Sequence, residues 1–243
     1  MITSAANPRL KLVRRLRSKA QRERLGLFVC EGEDLVEAGV AAGIEPVDLL
    51  VAGETVEPKL LAAVSTLAHP PRVIAVFRRA DLPPLDPSNK LLLGLALWHV
   101  SDPGNLGTLI RCADAFEAFV CLSEGCADPT GPKALRGSAG AVFRVPLGRF
   151  EEAAGRRVAL VPRGGRPLHE LALEGETTFV LGAEREGLPE DVVAACDEAA
   201  SIPLARGSES LNVAVAGAIA LYEARLGAWR ASPGSGRTPE SAG

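Results

Sequence analysis

The chain has no C-x-x-C pair, and its three scattered histidines form no metal-ligand cluster with its five cysteines (Cys30, Cys112, Cys121, Cys126, Cys196). An odd thiol count without a framework argues against a disulfide scaffold and for reduced, mostly buried cysteines in a cytoplasmic protein. Basic residues near the N-terminus are not followed by an apolar h-region, so no secretory signal is expected. No apolar run approaches the roughly 20 residues of a membrane span. The absence of a G-x-G-x-x-G and of a P-loop counts against dinucleotide and nucleoside-triphosphate binding. No Ser-His-Asp constellation and no internal repeat is visible, and no metal is expected.

What is present is a chain of 243 residues, 47% hydrophobic, enough for one large domain or two small ones. Its net charge of −3 hides a strong asymmetry. Residues 1–24 carry eight basic side chains (Arg9, Lys11, Arg14, Arg15, Arg17, Lys19, Arg22, Arg24) against the single acid Glu23. A local basic stripe is the footprint expected for phosphate binding. The competing reading is a solvated amphipathic helix with Leu10, Val13 and Leu16 turned inward.

Short strands and helices alternate after this segment. Strands are expected at Leu25–Val29, Val47–Val51 and Arg72–Phe77, with helices at Asp34–Ala42 and Pro58–Leu67. That pattern predicts a small α/β domain over residues 1–80. Residues 81–89 have linker composition. A second α/β domain over 90–230 opens with Leu91–Val100, apolar enough for a strand buried on both faces. A helix from Leu106 to Phe119 and a strand at Val120–Ser123 follow, then a helix from Lys133. Strands at Val158–Val161 and Thr177–Leu181 precede a helix from Glu190. Residues 231–243 are rich in Ser, Gly and Pro and are expected to be disordered.

The chain is organised around Ser201–Glu223. A short apolar run, Ile202–Leu204, breaks into a polar loop, and Ser210 stands where an N-cap would sit. From Val213 to Tyr222 no side chain is charged or strongly polar, so the helix there must be buried on all sides. Three polar loops each follow an apolar strand: Ser101–Gly107, Ala183–Gly187 and Ala205–Ser210. In open parallel α/β sheets ligands bind outside the carboxyl ends of the strands. The spacing therefore proposes one composite pocket near Asn105, Glu184, Arg206, Ser208, Ser210 and Asn212.

At these loops the sequence resembles the SpoU (TrmH) family of RNA 2′-O-ribose methyltransferases, within the SPOUT superfamily. The first family motif is matched by Asn105, Gly107 and Arg111. The second is matched by Leu181-Gly-Ala-Glu-Arg-Glu-Gly-Leu, and the third by Ile202-Pro-Leu with Ser210-Leu-Asn-Val-Ala-Val-Ala. Asp128-Pro-Thr-Gly-Pro-Lys, between them, is also similar. The N-terminal part (Thr3-Ser, Asn7-Pro, Lys11, Phe28, Glu31-Gly32) resembles the small RNA-binding domain that often precedes this catalytic domain. The sequence departs from many relatives at Leu204, where they carry Met, and at Ala214, where Ser is frequent.

The resemblance implies a parallel-sheet methyltransferase domain tied in a trefoil knot and pairing as a homodimer. It implies S-adenosyl-L-methionine held at Leu181, Gly182, Ile202, Leu204 and Leu211. Arg111 is then the central catalytic residue, with Asn105, Glu184, Ser210 and Asn212 around it. Asn105 either hydrogen-bonds substrate or caps its helix, and Glu184 orients either Arg111 or Asn105. Ser210 and Asn212 either bind ribose or phosphate or serve as helix-start residues. Arg111 has a plain alternative as a surface ion-pair partner of Asp114. The expected substrate is ribosomal RNA, with transfer RNA next. A non-catalytic RNA-binding protein and an enzyme methylating a base nitrogen are the other classes weighed.

Overall fold

The computed structural model describes residues 1–86, 88, 91–173, 175–206 and 209–231. Pro87 and Asn89 of the expected linker, Ser208, and the expected tail from residue 232 lie outside them. The N-terminal unit runs α1 (Pro8–Arg15), α2 (Lys19–Leu25), β1 (Leu27–Glu31), α3 (Glu33–Ala41), β2 (Asp48–Val51), α4 (Pro58–Val64) and β3 (Val73–Arg78). Then come β4 (Leu93–Leu97), α5 (Pro103–Ala115), β5 (Ala118–Leu122), α6 (Pro132–Ser138), β6 (Leu147–Arg149) and β7 (Arg156–Leu160). The chain continues with β8 (Arg166–Pro167), β9 (Thr177–Leu181), α7 (Glu190–Ala194), β10 (Glu198–Ser201) and α8 (Val213–Ala231).

The first three strands pair antiparallel in the order β1-β3-β2. The other seven form one parallel sheet in the order β6-β5-β4-β9-β7-β10-β8. Every residue of β4 and β9 is buried, as strands covered on both faces require. Helices α5 and α6 meet at backbone distance: a Cβ on Gly107 would lie 2.5 Å from the Ala134 carbonyl oxygen. The motif glycine at 107 is therefore a packing residue.

The two units share one apolar core. Phe28 and Phe77 of the small sheet pack on Phe143, with ring centroids 6.0 and 5.1 Å away. Beside this layer Arg22 reaches across to Asp128, donating from Nε to Oδ2 at 2.8 Å, while its Nη1 donates to the Leu16 and Arg17 carbonyls. Arg79 joins from β3's end, donating to Asp128 and Thr130. Arg22 and Asp128 are both nearly fully buried. This takes Arg22 out of the basic stripe expected over residues 1–24, because it is an internal ion-pair partner. Leu10, Val13 and Leu16 do turn inward.

Several expected elements shift. The strand expected at Leu25–Val29 begins at Leu27, because Gly26 ends α2 in the left-handed region (φ 64°). The helix expected over Leu106–Phe119 starts three residues earlier, on an Asp102 cap with Pro103 at its first position, and Phe119 belongs to β5. Ile202–Leu204 is not a strand; β10 ends at Ser201. Strand β10 reads Glu-Ala-Ala-Ser and lacks the apolar run that marks a central strand. Helix α8 begins at Val213 but is not enclosed by its own chain, since Val215 and Tyr222 are each 48% exposed.

No helix among the described residues is long and apolar enough to cross a membrane. All five cysteines are free. Burial pushes the Cys121 thiol up to about 12 and raises Cys30 further, so neither is a reactive thiolate at neutral pH.

Candidate active site at the strand ends

Helix α5 supplies the first side chain. Asp102 caps it by accepting from the Asn105 N–H at 2.9 Å, and its other oxygen accepts from Lys133 at 2.7 Å. The Lys133 ammonium, with the Asn105 N–H, holds the Asp102 carboxyl below its ordinary range. Asp102 and Lys133 are thus positioning residues absent from the expected site. An Asp-Pro pair at a helix start was the available signal for the first. The expectation that Asn105 could itself be the cap is corrected, because Asn105 lies inside the helix.

The Asn105 side chain faces two other loops. Its Nδ2 donates to Glu184 Oε1 at 2.9 Å, and its Oδ1 accepts from Asn212 Nδ2 at 3.0 Å. Asn212 Oδ1 in turn accepts from the Ala214 N–H at 2.9 Å. Asn212, not Ser210, therefore caps α8, since a side chain two residues further back does not reach those N–H groups. The polarity of the relay follows from its end: a backbone donor fixes the Asn212 oxygen, which fixes both amides in turn. Three loops distant in sequence are joined by two hydrogen bonds, and a third anchors the end of the relay on the α8 backbone. Of the two roles open to Glu184, the structure has it holding Asn105.

Behind this relay lies a cavity of about 590 Å³. Leu181, Gly182, Ile202, Leu204 and Leu211 all line it, as do Glu184, Ser210 and Asn212. Gly182 admits no side chain, because a Cβ there would fall 2.2 Å from the Gly187 carbonyl carbon. The N–H groups of Gly182, Ile202, Leu204 and Leu211 have no acceptor among the described residues. Apolar side chains with spare backbone donors, in a volume of a few hundred Å³, suit a small polar-apolar ligand such as a nucleoside. Among the described residues no cluster of His, Cys, Asp or Glu could hold a metal ion.

Arg111 stands apart. It is exposed and does not line the cavity. Six residues along α5 from Asn105, it lies about 9 Å further down the axis and about 120° around it. Its expected surface partner is taken: Asp114 accepts two bonds from Arg144, at 3.1 and 2.5 Å. Among the described residues Arg111 has no ion pair.

Residues 93–222 match the model of the SpoU rRNA Methylase family. The chain belongs to this family. Residues 7–79 match the MRM3-like substrate binding domain. An uncharacterized tRNA/rRNA methyltransferase of Synechocystis is 34% identical, with 95% of each chain covered. The 23S rRNA (guanosine(2553)-2′-O)-methyltransferase RlmP of Bacillus subtilis is 32% identical over 92% of this chain and 98% of its own. Among solved structures, the AdoMet-bound rRNA methyltransferase from Sinorhizobium meliloti superposes with a TM-score of 0.83 at 29% identity, covering 93% of this chain and 97% of that one. The SpoU methyltransferase AviRb from Streptomyces viridochromogenes, in complex with AdoMet, gives 0.79 at 27% identity, covering 93% and 99%.

Proposed function

We propose that this protein is an S-adenosyl-L-methionine-dependent RNA methyltransferase acting on a ribose 2′-hydroxyl of ribosomal RNA, in the cytoplasm and as a homodimer. The observation that carries the reading is the Glu184–Asn105–Asn212 relay at the rim of the cavity. The naming of RlmP as a 23S rRNA 2′-O-methyltransferase supports the ribose and the ribosomal assignment. A trefoil threading of the C-terminal segments belongs to the same reading.

S-adenosyl-L-methionine supplies an electrophilic sulfonium methyl. The chain supplies position and charge. Leu181, Ile202, Leu204 and Leu211 would hold the apolar parts of the cofactor, and the spare backbone donors beside Gly182 would hold its polar edges. Asn105 and Asn212 are locked by their relay, so their remaining amide hydrogens present fixed donors to ribose or phosphate, with the Ser210 hydroxyl on the cavity wall beside them. Arg111 stabilises the alkoxide that develops as the 2′-hydroxyl passes its proton to solvent water. A guanidinium stays protonated in proteins, so it acts as an electrostatic group and not as a base.

Arg111 lies outside the cavity of its own chain, and α8 exposes Val215 and Tyr222 beside α5. A two-fold pairing through α5 and α8 covers those side chains and brings Arg111 to the partner's cavity.

Titration calorimetry on the purified protein should give one site per chain for S-adenosyl-L-methionine or its demethylated product. Gly182→Ala should weaken it at least tenfold, because the new methyl displaces the Gly187–Leu188 backbone. Folded wild-type protein giving no heat at millimolar ligand contradicts the reading.

A further inference from the structure

The eight basic side chains of residues 1–24 are not equivalent once folded. Arg22 is consumed by Asp128, and Arg9 by Asp48. Arg14 and Arg17 donate to the backbone carbonyls of Ala5 and Ser65, and Lys19 stands 3.9 Å from Glu23. Arg15 and Arg24 behave differently. Both are exposed, one from α1 and one from α2, yet both guanidinium groups converge on a single neutral atom. Arg15 Nη2 donates to Gln21 Oε1 at 3.2 Å, and Arg24 Nη2 donates to the same oxygen at 2.9 Å.

Two cations drawn onto one amide oxygen repel each other, and no carboxylate pairs with either among the described residues. An anion arriving at this point finds two planar donor forks already gathered, which is the geometry that suits a phosphate. The clamp is also held in place. Arg22, on the same helix α2, is buried against Asp128 in the loop before α6, so α2 cannot swing relative to the parallel sheet.

We propose that Arg15 and Arg24, gathered by Gln21, form a clamp for one backbone phosphate of the RNA. This rests on the RNA methyltransferase reading above. Its consequence is a fixed distance between one bound phosphate and the cavity, so the clamp sets which part of an RNA is presented for methylation. Because both arginines serve one phosphate, their loss is not additive. Arg15→Gln, Arg24→Gln and the double variant should each weaken binding by a similar factor, about five- to tenfold. Each should flatten the slope of log affinity against log salt by roughly 0.7–0.9, the contribution of a single phosphate contact.

The sharpest test is Gln21→Glu, which removes no cation and adds a carboxylate between the two arginines. Binding of a ribosomal RNA fragment to the full chain is measured against salt for these variants, with cofactor affinity as the control for folding. The clamp predicts that Gln21→Glu loses as much affinity and slope as either arginine variant, with cofactor affinity unchanged. It also predicts that inorganic phosphate competes more weakly against the variants than against wild type. Steep wild-type binding that Gln21→Glu leaves intact overturns the clamp alone. Additive losses in the double variant also overturn it, because they mean two separate phosphates. A full chain that binds no RNA at all overturns both the clamp and the reading beneath it.

Discussion

Replacing Arg111 by Ala is expected to lower methyl transfer by on the order of 10²–10³-fold, the cost of removing one donor aimed at a developing oxyanion. Cofactor affinity should stay within a few-fold, since Arg111 does not line the cavity of its own chain. Lys at 111 should restore only part of the rate, because an ammonium lacks the planar fork. A radiolabel assay showing near-normal turnover in the Ala variant removes Arg111 from the catalytic set. The same variant probes the shared site. Mixed with a Gly182→Trp chain, which cannot hold cofactor, it should recover activity in the heterodimer, because one intact arginine then faces one intact cavity. No recovery means that each chain works alone, and a monomer mass by light scattering at micromolar concentration rejects the dimer.

The second large effect is on stability. Asp128→Ala leaves the buried Arg22 guanidinium without its carboxylate, and breaking such a pair costs about 3–5 kcal/mol. Replacing both partners by apolar residues, as in Arg22→Met with Asp128→Leu, should recover much of that loss, since the desolvation cost disappears with the charges. The pair also predicts a pH dependence. Burial alone raises the Asp128 carboxyl, but hydrogen bonds from Thr130, the charge of Arg79 and a hydrogen bond from Arg22 outweigh it, so the net shift is downward. A carboxyl depressed in the folded state stabilises the fold above its unfolded value of about 3.9, and that contribution fades as pH falls through the folded value. Denaturant titrations should therefore show wild type losing its advantage over Asp128→Ala below about pH 4. A constant difference down to pH 2 contradicts the assignment.

The contact between the two units bears on how the molecule can be dissected. Phe28 and Phe77 complete the packing of Phe143, and Arg22 completes that of Asp128. Removing residues 1–80 strips that cover. Point substitutions at Arg15, Gln21 and Arg24 separate RNA binding from folding where a truncation cannot.

How much of this could be read from the sequence depended on whether a residue's role was local. Strand β9 was expected at Thr177–Leu181 and lies there, because a continuous apolar run between turn residues has one good solution. The start of α8 at Val213 was legible for the same reason. Strands β6, β8 and β10 were not, being two to four residues long and held by neighbours distant in the chain. The cap of α8 was misplaced by two residues: Ser210 and Asn212 are equally good capping types, and only the loop path decides between them. The strand-end loops were legible as a set, but the bonds that join Glu184, Asn105 and Asn212 were not, because spacing does not give side-chain direction. The burial of Arg22 was hidden for the opposite reason. Its neighbours in sequence are solvated cations, and its partner lies 106 residues away.

The central claim is the transfer of a methyl group to a ribose oxygen. The most direct measurement incubates the purified full chain with isotopically labelled S-adenosyl-L-methionine and unmodified ribosomal RNA, then digests the RNA to nucleosides. The account predicts label in a single 2′-O-methylnucleoside, reduced by on the order of 10²–10³-fold when Arg111 is Ala. Label on a base nitrogen, or none in RNA under conditions where the cofactor binds, contradicts it.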